Sequence, residues 1–203
     1  ITLGEPRTND ELFMHRDPAT AAILAAYNVR KVLRAGVTSM FDVDGIFNIG
    51  PALRDSINAG VVEGPTMKSG SYALMTAVGG TAGKLIPDSG TAGYAEVVRN
   101  KEETVLAVRR QVKDGADCIK IHVTGSIPTR SGEIQVWTRE ELKVVCDTAH
   151  DLGVRVTAHC RGDKATLDSV MAGVDIIWHA SFLGDASLEA IIDKKVPVGP
   201  VFT

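Results

Sequence analysis

The sequence predicts an α/β chain, a (β/α)8 barrel of the TIM type, present as an incomplete set of about six βα units. Three observations carry that prediction. One phrase recurs: a helical stretch ends in Gly and an apolar strand follows at once. It occurs at Ala35-Gly36-Val37, Ala59-Gly60-Val61, Asp114-Gly115-Ala116, Leu152-Gly153-Val154 and Ala172-Gly173-Val174. Glycine just past a helix takes the left-handed conformation without a Cβ penalty. The strands that follow are apolar on both faces, as in a parallel sheet covered by helices. Finally, residues able to do chemistry stand at the C-terminal ends of successive strands, which favours a barrel over a doubly wound sheet.

Asp17-Pro18 supplies an N-cap followed by Pro at the first helical position, so a helix opens there. A strand follows at 38–43, then a helix and a second strand at 65–69. The segment 71–93 is rich in Gly, Ala and Thr, and reads as a long active-site loop or a flexible insertion. Its Gly79-Gly80-Thr81 lacks the Walker pattern, so no phosphate cradle is expected. Asn100 with Glu103 resembles a capping box and opens the helix before a strand at 117–124. Thr138 with Glu141 fits that box directly, and its helix aligns Leu142, Val145 and Ala149 on one face. A strand at 154–159 leads to a short helix that Asp163 can cap, then to a strand at 175–179. A last helix near 186–194 precedes a strand at 196–202.

Residues 1–203 read as one barrel domain. Six strands do not close an eight-stranded barrel, so two strands are expected outside this stretch. The chain begins with Ile1 and stops in mid-strand, and we expect a fragment at both ends.

Apolar residues make up 44% of the chain and charged residues 23%, which suits a globular domain with a sizeable core. A net charge of -3 with no block of like charge argues against a nucleic-acid partner. No uninterrupted apolar run approaches the roughly 18 residues of a membrane span. Three scattered cysteines, Cys118, Cys146 and Cys160, do not suit a disulfide scaffold and fit a reducing, cytoplasmic compartment. The expected partner is a small-molecule substrate. Self-association into a homo-oligomer stays open.

The chemistry starts at Lys120, inside the apolar strand Cys118-Ile119-Lys120-Ile121-His122-Val123-Thr124. Burying an unpaired ammonium is strongly unfavourable. Alternation puts Lys120, His122 and Thr124 on one face and Ile119, Ile121 and Val123 on the other. The apolar set suits the sheet–helix interface, so the polar set faces the barrel interior. A lysine that snorkels to solvent at a strand end would explain the position without function.

Two functional readings compete with that one. Lys120 could form a Schiff base with a carbonyl substrate, or its neutral amine could capture carbon dioxide and bridge two metal ions as a carbamate. His159 and His179 end the next two strands and favour the carbamate, because neutral imidazole is the commonest side-chain metal ligand. Counting back by twos makes Thr157 and Arg155 inward from His159, and Ile177 and Asp175 inward from His179. His15 and His150 read as ordinary surface or core residues.

These phrases resemble the amidohydrolase superfamily, in the branch of metal-dependent amidases and imidazolonepropionase-like proteins. Carrying the resemblance are Gly115-Ala116-Asp117-Cys118-Ile119-Lys120-Ile121 with Thr124-Gly125, then Val156-Thr157-Ala158-His159, then the stretch from Ala172 to Trp178-His179. Leu33-Arg34-Ala35-Gly36-Val37-Thr38 also matches, and Asp42-Val43-Asp44-Gly45 is similar to the family's Asp-Leu/Val-Gly-Gly turn.

The resemblance implies a hydrolase of C–N bonds that uses a metal-activated water. Lys120 would be the carboxylated lysine bridging two divalent metals, and His159 and His179 would complete the second metal's ligands. Zn suits such a set, and Mn, Fe, Co or Ni are compatible. The family's His-x-His pair and its strand-ending, proton-shuttling aspartate are absent from these 203 residues. Thr81 stands where many relatives have a histidine, Trp178 where many have Glu, and His122 where the residue is commonly apolar. These departures bear on the substrate, with His122 and Arg161 as candidate substrate contacts.

Overall fold

The computed structural model of the chain describes residues 8, 10–80, 86–130 and 132–201; Thr81 lies outside them. A π-helical turn at Glu11–His15 leads into α1 (Pro18–Arg34), β1 (Ser39–Asp42), α2 (Ile49–Asn58), β2 (Thr66–Ser69) and β3 (Ala73–Met75). A 3-10 turn at Asp88–Gly93 precedes β4 (Ala95–Val97) and α3 (Lys101–Lys113). Next come β5 (Cys118–His122), β6 (Thr124–Thr129), β7 (Gly132–Gln135), α4 (Arg139–Asp151) and β8 (Arg155–Cys160). The described chain closes with α5 (Asp163–Ala172), β9 (Ile176–His179), α6 (Asp185–Lys194) and β10 (Val198–Gly199).

The six expected strands appear as β1, β2, β5, β8, β9 and β10. One parallel sheet runs in the order β10-β9-β8-β5-β3-β4, and β1 pairs with β2 in parallel. A backbone hydrogen bond from Asp117 N, just before β5, to Ser69 O of β2 (2.7 Å) joins the two into one wall. This wall is part of a (β/α)8 barrel.

Two elements depart from the expectation. The stretch 71–93 is not all loop. It contains β3, whose Ala73 lies opposite Lys120 on β5. Three residues are too few to show a strand's alternation, and β3 is held by its neighbours on both sides. The strand expected at 117–124 ends at His122, and an antiparallel hairpin, β6–β7, follows.

The junction glycines Gly36, Gly60, Gly115, Gly153 and Gly173 all take positive φ. Asp17 caps α1 by accepting from Thr20 N (3.0 Å), and Asn100 caps α3 by accepting from Glu103 N (2.8 Å). The Glu103 carboxylate returns to Arg99 N (2.9 Å), one residue earlier than a closed box requires. Asp163 does not cap α5, where Gly162 takes the N-cap position. Its carboxylate instead accepts from Gly184 N (2.8 Å) and from the Ser187 hydroxyl, and so caps the neighbouring α6.

At α4 the box is complete: Glu141 N donates to Thr138 Oγ1 (3.2 Å) and Thr138 N to Glu141 Oε2 (2.8 Å). Thr138→Ala is expected to lower stability by about 1 kcal/mol, read as a shift in the urea midpoint at constant slope.

Ile119, Ile121, Val123, Val156, Ala158 and Ile177 pack against Val108, Leu142, Val145 and Ala149 of the helices. The branched apolar face of β5 therefore points to the helices, as alternation required. A second cluster joins Ala21, Ala25 and Val29 of α1 to Leu53 and Met67. The polar face of β5 is left to the barrel interior.

Candidate functional site

Register decides which side chains meet. Lys120 lies opposite Thr157, and His122 opposite His159, so all four project from one face. Lys120 is 5% exposed, and His122 and His159 are buried with it. The His122 and His159 rings are 5.7 Å apart, and those of His159 and His179 are 4.5 Å apart, edge to face.

His179 reaches this group by an unexpected route. Its register partner is Cys160, while Trp178 lies opposite His159. The Trp178 indole donates to the Thr157 hydroxyl. The inward residues of β9 are therefore Ile176 and Trp178, not Asp175 and Ile177; Ile177 packs on the helix side. His179 and Ala180 have φ values of 76° and 47°, which break the alternation at the strand end. Non-glycine residues rarely adopt this conformation, and it marks local strain.

Lys120 Nζ lies 3.9 Å from Asp44 Oδ2. Burial pushes its pKa down, with Asp44 partly opposing. Asp44, from the turn after β1, meets His122 Nε2 at 2.6 Å. Burial alone would raise the Asp44 carboxyl, but its interactions with His122, including their hydrogen bond, and with Lys120 and His159 outweigh it and hold the pKa at about 2.

Glu133 on β7 plays a matching part for His159. Its Oε2 lies 2.8 Å from His159 Nε2 and also accepts from the Thr124 hydroxyl at 2.8 Å. Burial would raise the Glu133 carboxyl; the bonds from His159 and Thr124 and the charge of Arg161 bring it below its ordinary value. Burial is the largest cause lowering the pKa of His159, and with neighbouring charge it takes His179 down to about 4. Both imidazoles are thus neutral near pH 7.

Of the residues singled out in the sequence, Lys120, His122, His159 and His179 converge. Arg161 stands at the edge, with Nη1 3.5 Å from Glu133 Oε1. His122 is wholly buried behind Asp44 rather than open on the rim. His150 lies elsewhere, paired with Asp175 at 2.9 Å. Sequence reasoning missed Asp44 and Glu133 as site residues. Asp44 had a signal, a carboxylate in a turn where the resemblance called for Gly. Glu133 had none, because it lies between the strand expected at 117–124 and the helix opened by Thr138, where no element was expected.

The donor set suits a divalent ion in chemical type: two neutral imidazoles beside a lysine whose amine is driven towards neutrality. His179 Nδ1 is buried and lacks a hydrogen-bond partner among the described residues, as a nitrogen kept for an ion would. Among the described residues, no group of three or more His, Cys, Asp or Glu is arranged to hold an ion. A cavity of 620 Å³ lined by Ser39, Phe41, Lys68, Arg155 and Ile176 lies at the opposite, N-terminal ends of the strands, away from this chemistry.

A model of the amidohydrolase family matches residues 4–197. Ochratoxinase of Aspergillus niger is 27% identical over 196 residues, which cover 88% of this chain and 40% of that protein. Among solved structures, an Xaa-Pro dipeptidase with methionine bound in its active site is similar at a TM-score of 0.84 and 28% identity. The match covers 98% of this chain and 50% of that one. The A. niger ochratoxinase structure gives a TM-score of 0.85 over 96% of this chain and 48% of that one; its 24% identity speaks for the fold alone. The chain thus spans 40% to 50% of the length of these relatives. A family match running nearly from end to end, on a barrel wall that carries its lysine and histidines on successive strands, means that the chain belongs to the amidohydrolase family.

Proposed function

We propose that this chain forms part of the catalytic barrel of a metal-dependent hydrolase of C–N bonds: amide, urea, carbamate, dipeptide or cyclic amide. The observation that carries the reading is the convergence of Lys120, His159 and His179, with the two imidazole rings 4.5 Å apart. Family membership supports hydrolysis, and two similar proteins are named as an ochratoxinase and an Xaa-Pro dipeptidase.

In this reading His159 and His179 would hold one divalent ion, and a carboxylated Lys120 would supply the ligand shared with a second. Zn is the first choice, with Mn, Fe, Co or Ni compatible with the same donors. When bound, the ions supply Lewis acidity: they polarise the scissile carbonyl and lower the pKa of a water from about 15.7 towards about 7. Lys120 contributes an anion by becoming a carbamate. Its neutral amine attacks the carbon of carbon dioxide, an N–C bond forms as one C=O π bond breaks and its electron pair moves to oxygen, and one amine proton leaves to solvent. The resulting carbamate offers two oxygens. Burial favours the neutral amine that this step requires, and outweighs the opposing pull of Asp44. Arg161, at the edge beside Glu133, is the candidate contact for an anionic part of a small-molecule substrate. The buried free thiols Cys118, Cys146 and Cys160 support a reducing, cytoplasmic setting. No helix among the described residues is long and apolar enough to cross a membrane. Self-association into a homo-oligomer is compatible with this reading.

Lys120→Ala, made in an intact barrel that also supplies the His-x-His pair and the aspartate, tests it. We expect metal content to fall by at least half and hydrolysis of amide and dipeptide substrates to be lost, with partial recovery of both on adding short carboxylic acids. Full metal loading and full activity in the variant would sink the carbamate. The depressed Lys120 amine also suits a Schiff base, and borohydride trapping of a carbonyl substrate on Lys120 in protein free of metal would favour that second reading.

A further inference from the structure

We propose that Glu133 is a positioning residue that sets the tautomer of His159, holding the proton on Nε2 and leaving Nδ1 as the lone-pair nitrogen. The consequence for an ion at His159 rests on the proposed function; the tautomer itself does not.

The geometry begins with a glycine. A Cβ on Gly132 would lie 2.0 Å from Arg161 O and 2.8 Å from Arg161 C, at a φ of +122°. Only glycine lets β7 approach the backbone after β8 this closely. The approach is sealed by a hydrogen bond from Glu133 N to Arg161 O (2.8 Å). Glu133 is therefore delivered by its own backbone to the chain that follows His159 and Cys160. Two residues on, Gln135 anchors the hairpin's far end by donating to Asp168 Oδ2 (2.9 Å) and Trp137 O (2.7 Å).

With the backbone held, the carboxylate has little choice of contact. Its Oε2 takes the Thr124 hydroxyl and His159 Nε2, both at 2.8 Å, and Arg161 Nη1 stands further off, 3.5 Å from Oε1. An ionised carboxylate can only accept, and a neutral imidazole has one N–H and one lone pair. The proton therefore sits on Nε2, and the lone pair on Nδ1. A carboxylate behind a ligating imidazole fixes ring orientation and raises its basicity.

The arrangement is selective within the site. Asp44 meets the Nε2 of His122 in the same way at 2.6 Å. Among the described residues, His179 has no such partner at Nδ1, and its strained backbone orients it instead. Two of the three clustered imidazoles are thus set by carboxylates from loops outside the barrel strands, and Glu133 sets the one that the function reading needs as a ligand.

The test is nitrogen-15 NMR of the labelled chain, freed of metal by a chelator and held at pH 8, with His159 assigned by its loss in His159→Asn. We expect the Nε2–H tautomer of His159 in the unaltered chain. Glu133→Ala is expected to raise the Nδ1–H form to a comparable population, and Glu133→Gln, whose amide oxygen still accepts, to restore Nε2–H. A ring that is Nδ1–H in the unaltered chain, or a tautomer unmoved by Glu133→Ala, would overturn the proposal. If Glu133→Ala does not fold, the spectra of the unaltered chain and of Glu133→Gln decide it. A Co2+ titration then reads the consequence, a weakening of roughly 10- to 100-fold in Glu133→Ala. Should the unaltered chain bind no Co2+ at all, the metal reading fails while the tautomer result stands.

Discussion

Asp168→Ala is expected to cost about 3 kcal/mol, the lower end of what removing one partner of a buried ion pair costs. Asp168 on α5 is 3% exposed. Its carboxylate accepts from Arg139 Nε (2.8 Å) and Nη2 (2.6 Å), from Lys164 Nζ (2.5 Å) and from Gln135 Nε2 (2.9 Å). It therefore ties the start of α4, its own helix and the base of the β6–β7 hairpin together. The lower end applies because the Arg139 and Lys164 side chains are 47% and 77% exposed and can rehydrate when released.

The same group predicts a pH dependence. Burial would raise the Asp168 carboxyl, yet hydrogen bonds from Lys164, Gln135 and Arg139 outweigh it and hold the pKa at about 2, against an ordinary 3.8. A carboxyl depressed in the folded state stabilises above its unfolded pKa. That contribution is lost as pH falls from near 4 through about 2, and amounts to about 2 kcal/mol. Asp168→Asn should therefore be less stable at pH 7 and show a flatter acid limb. Urea unfolding at pH 7, 4 and 2.5 reads both; an acid limb identical to that of the unaltered protein would refute the assignment.

Gly132→Ala is expected to cost roughly 3 kcal/mol, the sum of a non-glycine residue at an unfavourable φ and a buried backbone hydrogen bond lost. Both atoms in the way belong to the Arg161 backbone, so no side chain can move aside to relieve the contact. The hairpin must lift, and the Glu133 N to Arg161 O bond must break. Hydrogen exchange at the Glu133 amide should speed up far more than exchange in β5 or β8, and His159 should lose its tautomer preference as in Glu133→Ala. A variant within about 0.5 kcal/mol of the unaltered protein, the range of an ordinary surface substitution, would mean that the close approach is not needed.

The legible part of this fold was written in local terms. Glycine after each helix, Asp17, Asn100 and Thr138 at helix starts, and two-faced apolar strands all act within a few residues, so their effect could be read in order. β3 escaped because Ala73-Leu74-Met75 is a strand only by virtue of β4 and β5 beside it. The Asp163 carboxylate left its own helix because α6 brings the Gly184 N–H and the Ser187 hydroxyl within reach. The candidate site divides along the same line. Lys120, His122 and His159 follow from alternation on strands that stay regular. His179 arrives through a positive φ that reverses the alternation, which is why its inward neighbours were misassigned.

By itself, the sequence determined a parallel barrel wall and the placing of one lysine and two histidines on successive strands, since strand period and helix stops are short-range properties. Only the tertiary structure decided what those side chains touch. Asp44 comes from the turn after β1, 78 residues from His122, and Glu133 from a hairpin 26 residues from His159. Those two carboxylates meet the imidazoles at their Nε2 atoms, and no local pattern encodes a contact whose two halves are brought together by the rest of the chain.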